Sequence, residues 1–465
     1  MAIAALVLAA GKGTRMKSEL VKVMHLLEGK PMVSYPVAAA RDLGAERVAL
    51  VVGHQADRVR DWFAGDDLVS IVLQEEQLGT GHAVSCAAGF LAECDGEVLI
   101  LCGDVPLVTG ETLRSLMAVH AEQGGTVTVL TARVPDPFGY GRVIKDATGR
   151  VLRIVEQKDA SPAEMEVDEI NSGIYCVNAA FLRDAVMKIG NDNAQNEYYL
   201  TDIIGLAARW GHACYTFTVA DHAEVMGIND RVQLAAAGAV LRRRTNEALM
   251  LSGVTIIDPA VTHIEQGTVI GRDTIIYPNT FIGGGTVLGE GCVIAPSVTI
   301  TNCRLADRVQ IKAGSVLEDS TIGSDTAVGP MAHLRPGTVL KEHVKIGNFV
   351  ETKKAVIEEG SKASHLTYLG DCFLGKDVNI GCGTITCYYD GKKKHVTIIE
   401  DGVFVGSDVQ FVAPVKVGKN SLIAAGTTVT VDIPPDSLAL SRVPQVNKEG
   451  WVSRQAEKER LKAKG

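Results

Sequence analysis

The chain has 465 residues, of which 46% are hydrophobic and 22% charged, and its formal net charge is −9 at pH 7. This length exceeds what one hydrophobic core usually serves and predicts two or three domains of ordinary globular composition. The acidic balance excludes broad basic nucleic-acid-binding surfaces, and no apolar run approaches transmembrane length, so neither a nucleic-acid nor a membrane partner is expected.

The ten cysteines form no CxxC pair, so neither a disulfide framework nor a zinc finger is expected in a chain of this size. One alternative stays open, a metal site built from Cys372, Cys382, Cys387 and His395, although such cysteines are more often small reduced core residues. The opening MAIAALVLAAGKG has an apolar run without a charged leader and indicates a buried strand rather than a signal peptide. A reducing cytoplasm is the expected location.

In residues 1–231, short apolar runs alternate with helical stretches. ALVLAAG, RVALVVG, VLILCGD and TVTVLTAR are typical of buried strands, and VSYPVAAARDLG is typical of a helix between them. The alternation predicts an α/β, Rossmann-like domain with a parallel sheet wrapped by crossover helices. In such sheets the ligand crevice lies at the carboxyl ends of the strands, near a topological switch.

The glycine-rich turn LAAGKGTRM follows the first strand. Glycines let backbone N–H groups approach phosphate oxygens, and Lys12, Arg15 and Lys22 add positive charge. Met16 stands where a dinucleotide fingerprint needs its third glycine, and a P-loop is absent. The loop alone is equally compatible with a simple strand–helix turn.

Further motifs follow this loop in order, and together they resemble the sugar-nucleotide pyrophosphorylases. The motif residues are Lys22 in LVKVMH, Gln74, Gly79 and Thr80 in VLQEEQLGTGHA, Asp104 in LCGDVPL, Gly141 in FGYGRV, Glu156 in IVEQKD, Asn171 in EINSGIY and Asn229 in MGINDR. The resemblance implies a nucleotidyltransferase domain in which the sugar-phosphate oxygen attacks the α-phosphate of UTP and pyrophosphate leaves.

The same resemblance implies a role for each motif residue. Asp104 and Asn229 would hold Mg²⁺ on the triphosphate, and Arg15 and Lys22 would be the catalytic cations. The substrate would be bound by Leu8, Ala9, Ala10, Gly11 and Lys22 in the loop, Gln74, Gly79 and Thr80 at the uracil, and Gly141, Glu156, Asn171 and Asn229 at the sugar and phosphates. From the residues alone, Asp104 is also compatible with a helix cap and Asn229 with a turn.

A linking helix is predicted over residues 232–252, and beyond it the period changes to six. Apolar residues recur at Ile264, Ile270, Ile276, Ile282, Leu288, Ile294 and Ile300, at Leu305, Ile311 and Leu317, at Ile322, Val328, Leu334, Leu340 and Ile346, at Leu374 and Ile380, and at Val405, Phe411, Val417, Ile423 and Val429. Such hexapeptide repeats predict a parallel β-helix over residues 253–465. TITCYYDGKKKHV (384–396) interrupts the count and is predicted to leave the coil as a loop. The order of the charged tail after Trp451 stays open.

Polar residues on this predicted solenoid form a distinctive set. Arg335 and Lys353 would converge on a phosphate because neighbouring coils stack about 4.8 Å apart. Tyr368 and Asn379 would assist them. His365 is the candidate general base, with Glu351 as the residue that orients it, although a lone histidine is also compatible with a surface position.

These motifs resemble those of the bifunctional N-acetylglucosamine-1-phosphate uridylyltransferase and glucosamine-1-phosphate acetyltransferase family, and the resemblance reaches the closing SRVPQVNKEGW. It implies a left-handed β-helix, a homotrimer, and synthesis of UDP-N-acetylglucosamine for peptidoglycan and lipopolysaccharide precursors. Acetyl-CoA would lie between subunits. Its implied contacts are Cys382, Tyr388, Tyr389, Ser407, Ala425 and Arg442, with Arg442 suited to a CoA phosphate.

Three positions depart from the family pattern. Tyr388 precedes Tyr389 where the family often has asparagine, Cys382 stands where alanine is common, and Cys102 occupies a variable position. Two alternative functions stay open from the sequence: a monofunctional sugar-1-phosphate nucleotidyltransferase with a structural β-helix, and a non-catalytic binding scaffold. The cluster around His365 argues against the first, and the glycine-rich loop with Asp104 argues against the second.

Overall fold

A computed structural model describes residues 2–463. The chain forms two compact units, and the division between them falls between Arg242 and Arg243. A helix runs from Arg231 to Leu251, one residue earlier at each end than the predicted 232–252. Among residues 2–463, no helix combines the length and the apolar character needed to cross a membrane.

The first unit alternates strands and helices. Its strands are β1 Ile3–Ala9, β2 Leu26–Leu27, β3 Lys30–Pro31, β4 Arg47–Val52, β5 Val69–Leu73, β6 Glu97–Cys102, β7 Val127–Arg133, β8 Arg142–Lys145, β9 Val151–Val155, β10 Glu169–Asn178 and β11 Cys214–Thr218. Its α-helices are α1 Ser34–Asp42, α2 Ala56–Trp62, α3 Thr80–Cys86, α4 Ala88–Ala92, α5 Gly110–Glu122, α6 Pro162–Met165, α7 Ala179–Val186 and α8 Asp202–Arg209, and the division between the units falls within α9 Arg231–Leu251. Short 3₁₀ turns occupy Thr14–Met16, Lys22–Met24 and His222–Val225.

The central sheet has the order β11-β7-β10-β6-β1-β4-β5, and β8 pairs with β10 and β9. Strands β6, β1, β4 and β5 run parallel, as predicted, and so do β7 and β11. Strand β10 is inserted antiparallel between β6 and β7, so the sheet is mixed rather than wholly parallel. Two of the four predicted strands, VLILCGD and TVTVLTAR, are therefore not direct neighbours.

Both faces of this sheet are buried. In β1, Ala4 and Leu6 belong to one hydrophobic cluster, whereas Ala5, Val7 and Ala9 belong to another on the opposite face. Successive side chains of a strand point to opposite faces, so burial of every position requires helices on both sides. This confirms the Rossmann-like α/β architecture.

The second unit is a parallel β-helix followed by one terminal helix. Its strands are Thr255–Ile256, His263–Ile264, Val269–Ile270, Ile275–Ile276, Phe281–Gly283, Val287–Leu288, Val293–Ile294, Thr299–Thr301, Arg304–Leu305, Gln310–Ile311, Val316–Glu318, Thr321–Ile322, Ala327–Val328, His333–Leu334, Val339–Leu340, Lys345–Ile357, Lys362–Leu374, Asn379–Ile380, Ile385–Cys387, Thr397–Ile399, Phe404–Val405, Gln410–Val412, Val415–Val417, Leu422–Ile423, Thr428–Val429 and Leu438–Ala439. Most of the short strands pair in parallel with the third strand after them, so three strands make one coil.

The inward positions predicted from the six-residue period are confirmed. Every one of them is buried in a single cluster that runs along the unit. Ile276, for example, pairs in register with Ile294 in the next coil, and both side chains are fully inaccessible. Stacked aliphatic side chains therefore form the core, one from each strand.

The six-residue pattern did not identify the inward positions of the coils between Ile346 and Leu374. There the chain forms two long strands, Lys345–Ile357 and Lys362–Leu374, that pair with each other along their length. Inward positions continue at Thr352, Ile357, Ala363 and Leu369, all buried. Two steps of five residues, together with small or polar inward residues, hide the period in the sequence.

The loop that leaves the coil, which we call the excursion, is shorter than the predicted 384–396. Ile385, Thr386 and Cys387 pair with Gln410, Phe411 and Val412, so they still belong to the coil. The chain leaves at Tyr388 and rejoins at the strand Thr397–Ile399. The charged tail forms a helix, Trp451–Lys462, in which no residue is buried.

Glycine after an inward aliphatic residue has a steric reason in this unit. A Cβ atom on Gly271 would lie 2.6 Å from the backbone of Gly289 and Glu290 in the next coil. Such a contact is closer than side-chain carbons tolerate, so coils could not stack at this spacing with a larger residue there.

Replacement of Ile311 by Ala should lower the free energy of unfolding of this unit by about 2–5 kcal/mol, because it leaves a cavity among stacked side chains. The neighbouring Gln310 is exposed in the same strand, and Gln310→Ala should change stability by less than about 0.5 kcal/mol. Guanidinium denaturation followed by circular dichroism measures both. Equal effects would contradict the assignment of alternate inward and outward positions.

Candidate active sites

The first candidate site lies at the carboxyl ends of β1 and β6. These strands are parallel neighbours, with Leu8 paired to Cys102. The chain adds β4 and β5 on one side of β1 and then returns from β5 to β6 on the other side. Such a switch point leaves a crevice for ligands. A cavity of about 370 Å³ opens there, lined by Leu8, Ala9, Ala10, Gly11, Lys22, Val23, Gln74, Gln77, Gly79, Thr80, Ala83, Cys102, Asp104 and Glu197.

The glycine-rich loop shapes one wall of this cavity. Gly13 has a left-handed backbone, with φ of 62°, and a Cβ atom on it would lie 2.5 Å from the Cβ of Lys22. Only glycine allows this close approach, which packs the loop against the stem of Lys22. The loop therefore sets the position of the Lys22 ammonium group.

Lys22, Asp104 and Asn229 meet at the floor of the site. The Lys22 Nζ donates a hydrogen bond to Asp104 Oδ2 and another, of 3.2 Å, to Asn229 Oδ1. The backbone N–H of Ile228 donates to the carbonyl of Asp104 at 2.9 Å, which ties the two segments together. The two predicted metal ligands thus face the same cation.

The segment predicted to read the base is held by the chain around residue 198. Gln74 is buried, and its amide Nε2 donates to the carbonyl of Gly79 at 3.2 Å. Gly79 has φ of 114°, and a Cβ atom there would lie 2.6 Å from the carbonyl oxygen of Tyr198. The Thr80 Oγ1 accepts a hydrogen bond of 3.0 Å from the backbone N–H of Leu200.

The residues predicted to bind the sugar form a neighbouring group. The Asn171 N–H donates to the carbonyl of Gly141 at 2.9 Å, and a Cβ atom on Gly141 would lie 3.4 Å from Glu156 Oε1. Burial raises the pKa of Glu156, and the charges of Asp159, Asp202 and Glu197 raise it further. Glu156 lines a second cavity together with Asp159 and Asp202, and its link to the first cavity is the charge of Glu197, which lines that cavity.

Arg15 is the predicted residue least engaged with this site. Arg15 is an exposed residue of the 3₁₀ turn Thr14–Met16 and does not line the cavity. The pKa of Tyr140 is raised mainly by burial and also by the charge of Asp104, whereas the charge of Arg15 acts in the opposite direction. A role at the phosphates would require its side chain to swing inward.

Sequence reasoning missed two polar residues of the cavity. The Gln77 Nε2 donates to the carbonyl of Ala10 at 2.6 Å and so braces the glycine-rich loop. Glu197 arrives from the segment before α8, far from any quoted motif. Gln77 lies within the quoted VLQEEQLGTGHA and could have been found there, whereas Glu197 carried no local signal.

The second candidate site lies on the β-helix around Arg335. The Arg335 Nη1 donates to Glu351 Oε1 at 2.9 Å, and Glu351 pairs in register with Tyr368 one coil further on. The backbone N–H of Arg335 donates to the carbonyl of Thr352, which places Lys353 in the adjacent coil as predicted. Burial is the main cause that raises the pKa of Tyr368. Two cations and a phenol thus share one face.

His365 lies on the preceding face of the coil. The corner residue Leu366, with φ of 31°, separates it from Tyr368, and His365 pairs in register with Asn348. Its side chain is exposed. The expectation that Glu351 orients His365 is wrong for this structure, because the hydrogen bond of Glu351 goes to Arg335.

Asn379 is also separate from Arg335, Lys353 and Tyr368, which we call the Arg335 group. It pairs in register with Lys362, in the same strand segment as His365. The structure therefore places Asn379 on the His365 face, where it does not join the predicted phosphate clamp.

Four of the predicted acetyl-CoA contacts lie in the coils that follow His365, and together they form one edge of the β-helix. The Asp408 N–H donates to the carbonyl of Cys382 at 2.7 Å, and the Gly426 N–H donates to that of Ser407 at 2.9 Å. The Arg442 Nη1 then donates to the carbonyl of Ala425 at 3.0 Å. We call Cys382, Ser407, Ala425 and Arg442 the edge column. Its members are exposed and lie in successive coils.

The two tyrosines of the excursion behave differently from the edge column. The Tyr388 ring stacks on Tyr368, with centroids 6.0 Å apart, and so joins the Arg335 group. Tyr389 is 59% exposed, and its hydroxyl donates to the carbonyl of Gly391. The backbone N–H of Lys393 is the main cause that lowers the pKa of Asp390 to about 2, and His395, 2.7 Å from Asp390, and the backbone N–H of Lys392 lower it further.

The alternative metal site of three cysteines and His395 does not form within residues 2–463. Cys372 is buried, Cys382 is exposed, and their ligand atoms do not gather with those of Cys387 and His395. All ten cysteines are free thiols, and burial raises the pKa of Cys372 and of Cys102 to about 12.

Comparison with known proteins covers both units. Residues 5–161 match the family described as MobA-like NTP transferase domain, residues 260–362 match the GMPPB C-terminal domain, and residues 397–430 match the bacterial transferase hexapeptide family. A protein of Pelobacter propionicus, named bifunctional protein GlmU, is 64% identical over 456 residues, covering 98% of this chain and 99% of its own. Proteins of the same name from Geotalea uraniireducens and Geobacter sulfurreducens are 63% and 60% identical, with 97% of this chain and 98% of theirs covered.

Replacement of Thr80 by Val should release the segment around Leu200, because it removes the acceptor for the Leu200 N–H. A hydrogen bond contributes about 1 kcal/mol, so the Leu200 amide should exchange about fivefold faster in hydrogen-exchange mass spectrometry. Thr80→Ser keeps the acceptor and serves as the control. Unchanged exchange in Thr80→Val would show that this contact does not hold the segment.

Proposed function

Because the chain belongs to the family of bifunctional GlmU proteins, we propose that its two candidate sites catalyse consecutive steps of one synthesis. The chain transfers an acetyl group from acetyl-CoA to glucosamine 1-phosphate. It then transfers a uridylyl group from UTP to N-acetylglucosamine 1-phosphate, giving UDP-N-acetylglucosamine and pyrophosphate. The family relationship over nearly the whole chain favours this over a nucleotidyltransferase with an inert β-helix.

Uridylyl transfer belongs to the first unit. An oxygen of the sugar phosphate attacks the α-phosphorus of UTP, and the bond from that phosphorus to the bridging oxygen of the β-phosphate breaks. The observation that carries this proposal is the meeting of Lys22, Asp104 and Asn229 beside a glycine-rich loop. Such a site acts by positioning the reactants and neutralising charge, and it forms no covalent intermediate.

The residues at the floor of this site fit a Mg²⁺ ion. Oxygen ligands suit this cation, and the side-chain oxygens of Asp104 and Asn229 both point at one cationic atom, the Lys22 Nζ. When bound, Mg²⁺ would shield the charge of the triphosphate. Lys22 would add a second cation, and the backbone of Leu8–Gly11 would face the nucleotide.

Base and sugar recognition would divide between two walls. Gln74 and Thr80 would contact the uracil, and Gly79 would allow the close backbone approach there. Gly141, Glu156 and Asn171 would hold the sugar, with Glu156 accepting hydrogen bonds from its hydroxyl groups. The support is that Gln74, Gly79 and Thr80 line the cavity, and that Asn171 and Glu156 both lie close to Gly141. Arg15 would serve as a catalytic cation after moving inward.

Acetyl transfer belongs to the β-helix. The amine of glucosamine 1-phosphate attacks the thioester carbonyl, His365 accepts a proton from the amine, and coenzyme A leaves as the thiolate. The exposed position of His365 at the head of the edge column supports its role as general base. The edge column would hold acetyl-CoA, with Arg442 at a phosphate of CoA, and Tyr389 would contact it from the excursion.

Arg335, Lys353 and Tyr368 would bind the phosphate of the amino sugar. Their grouping on one face supports this role, and Tyr388 would extend that surface because it stacks on Tyr368. Asn379, on the face of His365, would contact the sugar rather than its phosphate.

A homotrimer and a cytoplasmic location complete the proposal. Met331, Phe349 and Leu366 are 53%, 62% and 60% exposed and occupy one corner in three successive coils. Aligned apolar side chains of this kind favour contact with another copy of the chain. Ten free cysteines are compatible with a reducing compartment.

Single substitutions should separate the two activities. His365→Ala should lower acetyl transfer at least about 100-fold, because it removes the general base, and leave uridylyl transfer from UTP unchanged. Asp104→Ala should do the opposite, because it removes a metal ligand. Release of thiol and of pyrophosphate measures the two reactions. Full acetyl transfer by His365→Ala would refute the base assignment.

Uridylyl transfer should become less efficient as the pH falls. The pKa of Glu156 is raised above 4.5 by burial, so this carboxylate becomes protonated as the pH falls through that raised value and loses an acceptor for the sugar hydroxyl. The KM for N-acetylglucosamine 1-phosphate should therefore rise at low pH, while that for UTP should not. In Glu156→Gln, the KM for the sugar should be high and nearly constant with pH. An unchanged acid limb in this variant would exclude Glu156 as its source.

A further inference from the structure

The Lys22 ammonium lies where a cation bound by Asp104 and Asn229 would lie. It donates to Asp104 Oδ2 and to Asn229 Oδ1, and the Lys22 side chain is only 11% exposed. The Asp104 side chain is 25% exposed. A carboxylate that is largely removed from water needs a cationic or hydrogen-bonding partner, and here Lys22 provides it.

The position of Lys22 is built into the fold. Its Cβ, Cγ and Cδ atoms all lie within 3.3 Å of where a Cβ of Gly13 would be. On the other side, Asn229 is fixed by its own N–H, which donates to Gln233 Oε1 at 2.7 Å, and by its side-chain Nδ2, which donates to the carbonyl of Gly227 at 3.3 Å. The stem is confined, and only the outer part of the lysine is free to change direction.

Two cations cannot occupy this place together. The Asp104 carboxylate carries one negative charge, and a divalent ion bound to the same oxygens would repel an ammonium group within hydrogen-bonding distance. A metal bound by Asp104 Oδ2 and Asn229 Oδ1 must therefore displace the Lys22 Nζ from these two oxygens. The same cavity contains the nucleotide-facing backbone of Leu8–Gly11, which gives the displaced ammonium an anionic partner when phosphates are bound.

We propose that Lys22 is an exchangeable substitute for the metal ion. In the metal-free site its ammonium bridges Asp104 and Asn229 and keeps both ligands in position. When the metal and the triphosphate enter, the ammonium moves from the ligands to the phosphate oxygens. This inference rests on the proposed function of the site, and it gives Lys22 a positioning role before the reaction in addition to its role as a catalytic cation.

One consequence is that metal and nucleotide binding are coupled through Lys22. A metal ion alone has to break the two hydrogen bonds of the ammonium, and no new anion is present to receive it. Bound triphosphate supplies that anion. Metal binding without nucleotide should therefore be weak because of Lys22, and removal of its charge should make it tighter.

The test measures Mn²⁺ binding to the full chain without nucleotide, by the loss of the free-ion signal in electron paramagnetic resonance. Lys22→Met keeps the apolar stem and removes the ammonium, and it should bind Mn²⁺ about tenfold more tightly than the wild type. Lys22→Gln should do the same and provides a second variant. Lys30→Met removes an exposed lysine elsewhere and should leave the affinity unchanged.

A further variant separates the two levels of the proposal. Asp104→Asn in the Lys22→Met background should abolish the gained Mn²⁺ binding. If it does not, Asp104 is not a metal ligand and the metal site of the proposed function is wrong. If Asp104→Asn weakens Mn²⁺ binding but Lys22→Met and Lys22→Gln bind no more tightly than the wild type, the metal site stands and the exchange of Lys22 is refuted.

Discussion

Parallel pairing between strands brings side chains that are distant in the sequence to one place, and both candidate sites depend on it. In the first unit, pairing of β1 with β6 sets Leu8 beside Cys102, so the glycine-rich loop and Asp104 leave the sheet at the same edge. In the β-helix, pairing of successive coils sets Glu351 beside Tyr368 and Asn348 beside His365. A shift of register by one residue would turn each of these side chains to the opposite side of its strand.

The two sites use this common constraint for different chemistry. The first collects cationic, carboxylate and amide groups around a cavity, as suits a reaction that moves a charged phosphoryl group. The second spreads its groups along an exposed edge and over the adjacent face. Arg335, proposed to bind phosphate, and His365, proposed as the base, lie on either side of the corner at Leu366. A long thioester can run along the edge column while the amino sugar sits across the corner.

Much of this arrangement could be predicted from the sequence because the signals are local or periodic. The six-residue period identified inward positions such as Ile276 and Ile311, which are buried. What failed depends on pairing over long distances. Strand β10 inserts antiparallel into the sheet, and no periodicity in the sequence reveals its neighbours. Steps of five residues hid the coils around Thr352, and the hydrogen bond of Glu351 to Arg335 instead of His365 follows from their register. Glu197 was also missed, because its position at the cavity depends on contacts between segments that are distant in the sequence.

Product analysis of the purified chain shows whether both units are catalytic. The complete mixture contains glucosamine 1-phosphate, acetyl-CoA, UTP and Mg²⁺, and each component is omitted in turn. We expect UDP-N-acetylglucosamine to form in the complete mixture and to be absent whenever acetyl-CoA or UTP is left out. Uridylylation of added N-acetylglucosamine 1-phosphate, without any release of thiol from acetyl-CoA, would contradict this expectation and leave the β-helix without a catalytic role.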